Sequence, residues 1–231
     1  MVKKILDIGG GPDIYPLAIE QERTKYVEAI LGLRAVRWAV LMPNTDWTVL
    51  DPTLQRRGLE PVQSKIPQNA HLMEGKITED EPAPFEDESF DRVEMNFLFS
   101  PLLADSYVRR MKDPRKALDM VVSLTPKELH ELGDYGACIR EAARLLKPGG
   151  RLQIAEKANR MDRILPVLYG REVQDIGLAF RTSGSMPLPS LYSAYASRDP
   201  SIYTQAPGAT ATHEEIAANT PHLAILDKLH R

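Results

Sequence analysis

Residues 2–12 read VKKILDIGGGP. Val2, Ile5, Leu6 and Ile8 form a short apolar run that stops at three glycines, the pattern of a buried central strand leading into a tight turn. Glycine there lets the backbone take sharp conformations and approach a ligand with no Cβ in between. Beyond Pro16, the apolar residues Leu17, Ile19, Tyr26, Val27, Ile30 and Leu31 recur between charges, and Gly32 follows. An amphipathic helix is predicted over that stretch. Strand, glycine turn and helix open an α/β unit.

Further strands are predicted at residues 47–51, 71–73 and 91–99, the last two separated by an acidic, proline-containing segment. RAVRWAVLMPN, residues 34–44, fits neither a loop nor a strand partner, so an insertion is placed near 33–46. A second insertion, near 101–136, carries two predicted helices. The later of these starts at Thr125-Pro126-Lys127-Glu128, which has the form of a capping box with proline at the first helical position. A helix over 138–146 is stopped by Lys147-Pro148-Gly149-Gly150, which turns the chain into a fifth strand, RLQIAE. REVQDIGLAF (171–180) and LYSAYASRDP (191–200) are predicted as edge strands, and the tail from His213 as a closing helix. The expected architecture is α/β, a single domain over 1–231. Its open Rossmann-like sheet is mostly parallel, with an antiparallel edge strand and helices on both faces. Ligands of such sheets bind beyond the carboxyl ends of the strands, here beside strand one.

Composition bounds the function. Hydrophobic residues make up 43% of the 231 and charged residues 26%, enough for a sizeable core. A net charge of -3 offers no general attraction to a polyanion and favours a small-molecule partner over nucleic acid. Arg109, Arg110, Lys112, Arg115 and Lys116 are interspersed with Asp105, Asp113 and Asp119, which reads as a solvated helix face before it reads as an anion site. The lone Cys138 lies in an apolar helical setting and is expected to fill core. No stretch approaches the ~18 apolar residues of a membrane span. The N-terminus does not read as a signal peptide, so a cytoplasmic protein is expected. The five histidines show no metal-ligand spacing, and no metal is assigned.

The glycine turn lacks G-x-G-x-x-G, because Ile14 occupies the third position, and no triphosphate-cradling motif occurs. ILDIGGGPD instead resembles the first motif of the class I S-adenosylmethionine-dependent methyltransferases, with Asp7, Gly9 and Gly11 in place and Asp13 where a third glycine is frequent. PFEDESFDRVEMNFLF resembles the family's approach to strand four, and EAARLLKPGGRLQIAE its helix, PGG turn and fifth strand. Together the three cover most of residues 2–157. The resemblance implies S-adenosylmethionine as cofactor, with Asp7, Gly9, Gly10 and Gly11 in the glycine turn. It further implies Asp51 accepting from the ribose hydroxyls, Ile77 against the adenine ring and Asn96 near the methyl donor. After Gly75 the chain has Lys76 in place of the usual acidic acceptor. MNFLFSP does not match the N-P-P-Y-type motif of the DNA-amine enzymes, and Cys138 is misplaced for a cysteine nucleophile. The implied activity is methyl transfer to a small-molecule acceptor covered by residues 101–136. An RNA- or protein-directed methyltransferase and a noncatalytic cofactor-binding module stay open. Tyr15, Asp105, Tyr107, His130 and Glu156 are candidate bases, none of them singled out.

Overall fold

The computed structural model describes residues 2–9, 33–52, 54, 63–96, 98–185 and 221–230. Seven strands form one sheet: β1 (Lys3–Ile8), β2 (Thr45–Asp51), β3 (Ala70–Glu74), β4 (Phe90–Asn96), β5 (Leu146–Lys157), β6 (Leu178–Ser185) and β7 (Pro221–Lys228). Their spatial order is β3-β2-β1-β4-β5-β7-β6. The first five pair in parallel, while β7 runs antiparallel to both β5 and β6 and lies one strand in from the edge. The mostly parallel sheet expected from the sequence is the one observed.

Alternation along β1 divides the interior. Leu6 and Ile8 join the larger core cluster with Leu50, Met95 and the buried residues of α4 (Gly133–Leu145) and α5 (Ala158–Leu168). Ile5 turns to the opposite face, into a smaller cluster with Leu33, Val36, Ala39, Trp47 and Val49. Each fully buried aliphatic side chain contributes about 1.5–3 kcal/mol. Both faces are therefore closed by apolar packing.

The segment read as an insertion near 33–46 holds α1 (Arg34–Leu41), which buries Arg34, Ala35, Val36 and Ala39 and leads directly into β2. Its N-cap, Leu33, makes no side-chain cap bond. A helix this short is marginal alone, and packing on the sheet supplies its stability.

Within 101–136 the structure has α2 (Phe99–Met111), α3 (Pro114–Ser123) and a 3-10 turn (Leu129–Leu132). The helix start predicted at Thr125 is not observed. The capping box lies three residues on, between Glu128 and Glu131, whose carboxylate accepts from the Lys127 and Glu128 N–H groups. Asp113 caps α3 instead, accepting from Arg115 and Lys116 N–H.

Two later expectations are also corrected. Residues 171–180 divide into the short α6 (Arg171–Asp175) and the start of β6. In the tail, residues 221–228 form β7 and not a helix. The strand predicted over 191–200 and the helix after Pro16 lie outside the described residues.

Candidate active site

The strand registers set one row of residues across the carboxyl edge. Ile8 pairs with Leu50 on one side and Met95 on the other, so the next residue, Gly9, stands between Asp51 of β2 and Asn96 of β4. Adjacent strands lie about 4.8 Å apart, which puts Asp51 and Asn96 roughly 10 Å from each other across Gly9. Gly9 has φ +70°, a left-handed conformation that disfavours any side chain, and its N–H donates to the Leu50 carbonyl at 2.8 Å. Asp51 and Asn96 are each 6% exposed. Gly10 and Gly11 lie outside the described residues.

Behind this row is a buried charge network. Asn96 Nδ2 donates to Asp7 Oδ1 at 3.3 Å, and Arg34 Nη2 lies 3.8 Å from Asp7 Oδ2 while also contacting Glu94. Arg92 Nε pairs with Glu94 Oε1 at 2.9 Å. The two guanidinium carbons stand 5.7 and 5.5 Å from the Trp47 ring centroid. Burial, reinforced by Arg34 nearby, lowers the Arg92 pKa to about 10.

Ile77 is only 1% exposed and belongs to the larger core cluster. Its burial accounts for its apolar character without a ligand. Of the other candidates, Tyr15 and the Asp105 side chain lie outside the described residues. Tyr107 is buried and donates to the Glu131 carbonyl at 3.1 Å, and burial raises its pKa. Glu156 is fully buried at the end of β5, 4.0 Å from Arg160, whereas His130 is exposed.

His222 was not among the predicted site residues. It occupies the carboxyl edge because β7 pairs it with Glu156 on one side and Ser185 on the other. The Ser185 hydroxyl and His222 Nε2 are 3.2 Å apart. A tail read as helix concealed this placement.

The basic run is largely matched by acids. Arg109 forms a pair with Asp134 at 2.5 Å, Arg110 with Glu79 at 2.6 Å, and Lys116 with Asp113 at 3.8 Å. Glu128, His130 and Glu172 bring ligand-type atoms within 4.8 Å of one another on the surface. The two carboxylates already serve as caps, Glu172 accepting from Leu129 N–H at 2.5 Å and Glu128 within its capping box. Cys138 is buried, and burial raises its thiol pKa well above the ordinary range. Among the described residues no helix is long and apolar enough to cross a membrane.

No family model matches the sequence, and no curated protein matches it. Solved structures do. The 16S rRNA (adenine(1408)-N(1))-methyltransferase from Catenulisporales acidiphilia, in a variant solved with cosubstrate SAM, has a TM-score of 0.54 at 15% identity, over 99% of this chain and 86% of that one. Another variant of that enzyme gives 0.52 at 12% identity, over 99% and 88%. The N-methyltransferase NodS from Bradyrhizobium japonicum gives 0.43 at 14% identity, over 99% and 87%. At such identities, the likeness to the rRNA enzyme is a likeness of fold. The chain has the Rossmann-like fold of the methyltransferases.

Proposed function

We propose that the chain is an S-adenosylmethionine-dependent methyltransferase acting on a small-molecule acceptor. The row Asp51–Gly9–Asn96 carries this reading, because it stands at the carboxyl edge where sheets of this type receive their ligands. The residues suit the cofactor. A carboxylate at the end of β2 accepts from two ribose hydroxyls, a left-handed glycine turns the chain at the end of β1, and an amide stands at the end of β4.

The bound cofactor supplies a methyl group already activated by its sulfonium. What the chain contributes is binding, alignment and exclusion of water, with no covalent intermediate required. A small acceptor is favoured by the net charge of -3 and by the acids that pair with Arg109, Arg110 and Lys116. The second reading is an RNA acceptor, favoured by the likeness in fold to an rRNA methyltransferase. Transfer of labelled methyl from S-adenosylmethionine to small-molecule, RNA and protein pools tests both. Label in the small-molecule pool is expected; label only in RNA selects the second reading, and none in any pool removes the enzymatic one.

A further inference from the structure

The helix that follows β4 and the loop that leaves β3 meet at one buried carboxylate. Asp134, near the start of α4, is 1% exposed. Both of its oxygens face Arg109 Nη2 of α2 at 2.5 Å, and Oδ1 also accepts from the Glu79 N–H at 3.2 Å. The backbone closes the same junction. The Asp134 N–H donates to Ser106 Oγ of α2 at 2.7 Å, and a Cβ on Gly133 would stand 2.6 Å from that side chain. Beside it, Arg110 of α2 pairs with the Glu79 carboxylate at 2.6 Å.

The loop has a second anchor at the carboxyl end of β2, where the Gly75 N–H donates to the Asp51 carbonyl at 3.3 Å. Residues 75–79 thus run from Asp51 to the Asp134 junction, with Ile77 buried in the core between the two anchors. A buried carboxylate cannot give up one partner cheaply, because the charge left behind has no water to turn to. An exposed pair such as Arg110 with Glu79 adds little by itself. At a buried junction of this kind, loosening of α2 also loosens the loop.

We propose that Asp134 is a positioning residue that fastens α2 to the loop leaving β3, so that a ligand held at Asp51 also holds α2 in place. The identity of that ligand rests on the cofactor reading above, and one arm of the test does without it. Amide exchange is followed by mass spectrometry over 75–83, over α2 and over the 3-10 turn Gln63–Lys65, which lies outside the network. The wild type, Arg109→Gln, Asp134→Asn and Glu79→Gln are compared, with melting temperatures recorded alongside.

Without ligand, Arg109→Gln changes α2 alone, yet it should speed exchange in 75–83 as well as in α2 by about fivefold or more, and leave the turn within about twofold. Saturating S-adenosylhomocysteine should slow α2 of the wild type by about fivefold or more relative to the turn, and Arg109→Gln and Asp134→Asn should each abolish that protection. Glu79→Gln keeps the N–H that Asp134 accepts and should behave as the wild type does. Faster exchange in α2 but not in 75–83 would overturn the inference. So would bound ligand that leaves wild-type α2 unprotected, or protection that survives in both variants. A Glu79→Gln effect as large as that of Arg109→Gln would move the link to the exposed pair, with the same result. If Asp134→Asn does not fold, Arg109→Gln decides alone. A wild type that binds no S-adenosylhomocysteine removes the cofactor reading, and the ligand-free arm still decides the link.

Discussion

A Cβ on Gly9 would stand 2.2 Å from Cδ2 of Leu98. Leu98, 8% exposed and just beyond β4, fills the space that a side chain at residue 9 would need. The glycine at the end of β1 thus serves packing.

Gly9→Ala is therefore expected to destabilise the fold by about 2–4 kcal/mol, combining the cost of a left-handed alanine with that of overpacking. Leu98→Ala in the same chain should relieve the overpacking part. Denaturant melts of the single and double variants measure this. An unchanged midpoint for Gly9→Ala would show that Leu98 yields freely.

Asp51→Ala should weaken S-adenosylhomocysteine binding by about 1.5–3 kcal/mol, the range for hydrogen bonds to a charged group. Calorimetry on a folded variant reads it directly. Unchanged affinity would move ribose recognition to another residue.

Asp91 joins the start of β4 to β1 and β5. Partial burial raises its pKa, but the Lys4 N–H at 2.8 Å and Lys147 Nζ at 2.9 Å outweigh that and hold it below the usual aspartate value. A carboxyl depressed in the fold stabilises above its unfolded pKa of about 3.9 and loses that contribution as pH falls through the folded value. Asp91→Asn should melt earlier than the wild type at pH 7, with the gap closing in acid. A gap that stays constant down to pH 2 would contradict the assignment.

The Cys138 thiol is sealed in the core on α4. Ellman's reagent should leave it unmodified in the native protein and react fully in guanidinium, at a rate set by opening of the fold. Rapid native reaction would show that α4 does not pack as described.

Strands β1 and β2 were legible because each carries a compact apolar run bounded by turn residues. Trp47, Val49 and Leu50 show how a strand buried on both faces announces itself. α1 was not legible. Arg34 occupies a buried helix position only because Asp7 and Glu94 reach it, and those partners are remote in sequence. In β7, Leu223, Ala224, Ile225 and Leu226 form a continuous apolar run flanked by strands on both sides, so no alternation distinguished strand from helix. With β7 unread, the placement of His222 beside Ser185 and Glu156 was hidden too. At Thr125 the local pattern was a plausible helix start, but Glu131 captures the Lys127 and Glu128 amides and moves the cap forward. Asp51, Gly9 and Asn96 were named as candidates from their position at strand ends and the resemblance of the surrounding motifs. Only the fold shows that they share one row, and that Ile77 belongs to the core.

The cofactor reading is tested most directly by titrating S-adenosylhomocysteine into the folded wild-type chain in a calorimeter. Saturable one-to-one binding in the micromolar range is expected, weakened by Asp51→Ala. Undetectable binding at millimolar ligand by a chain that melts cooperatively would contradict it.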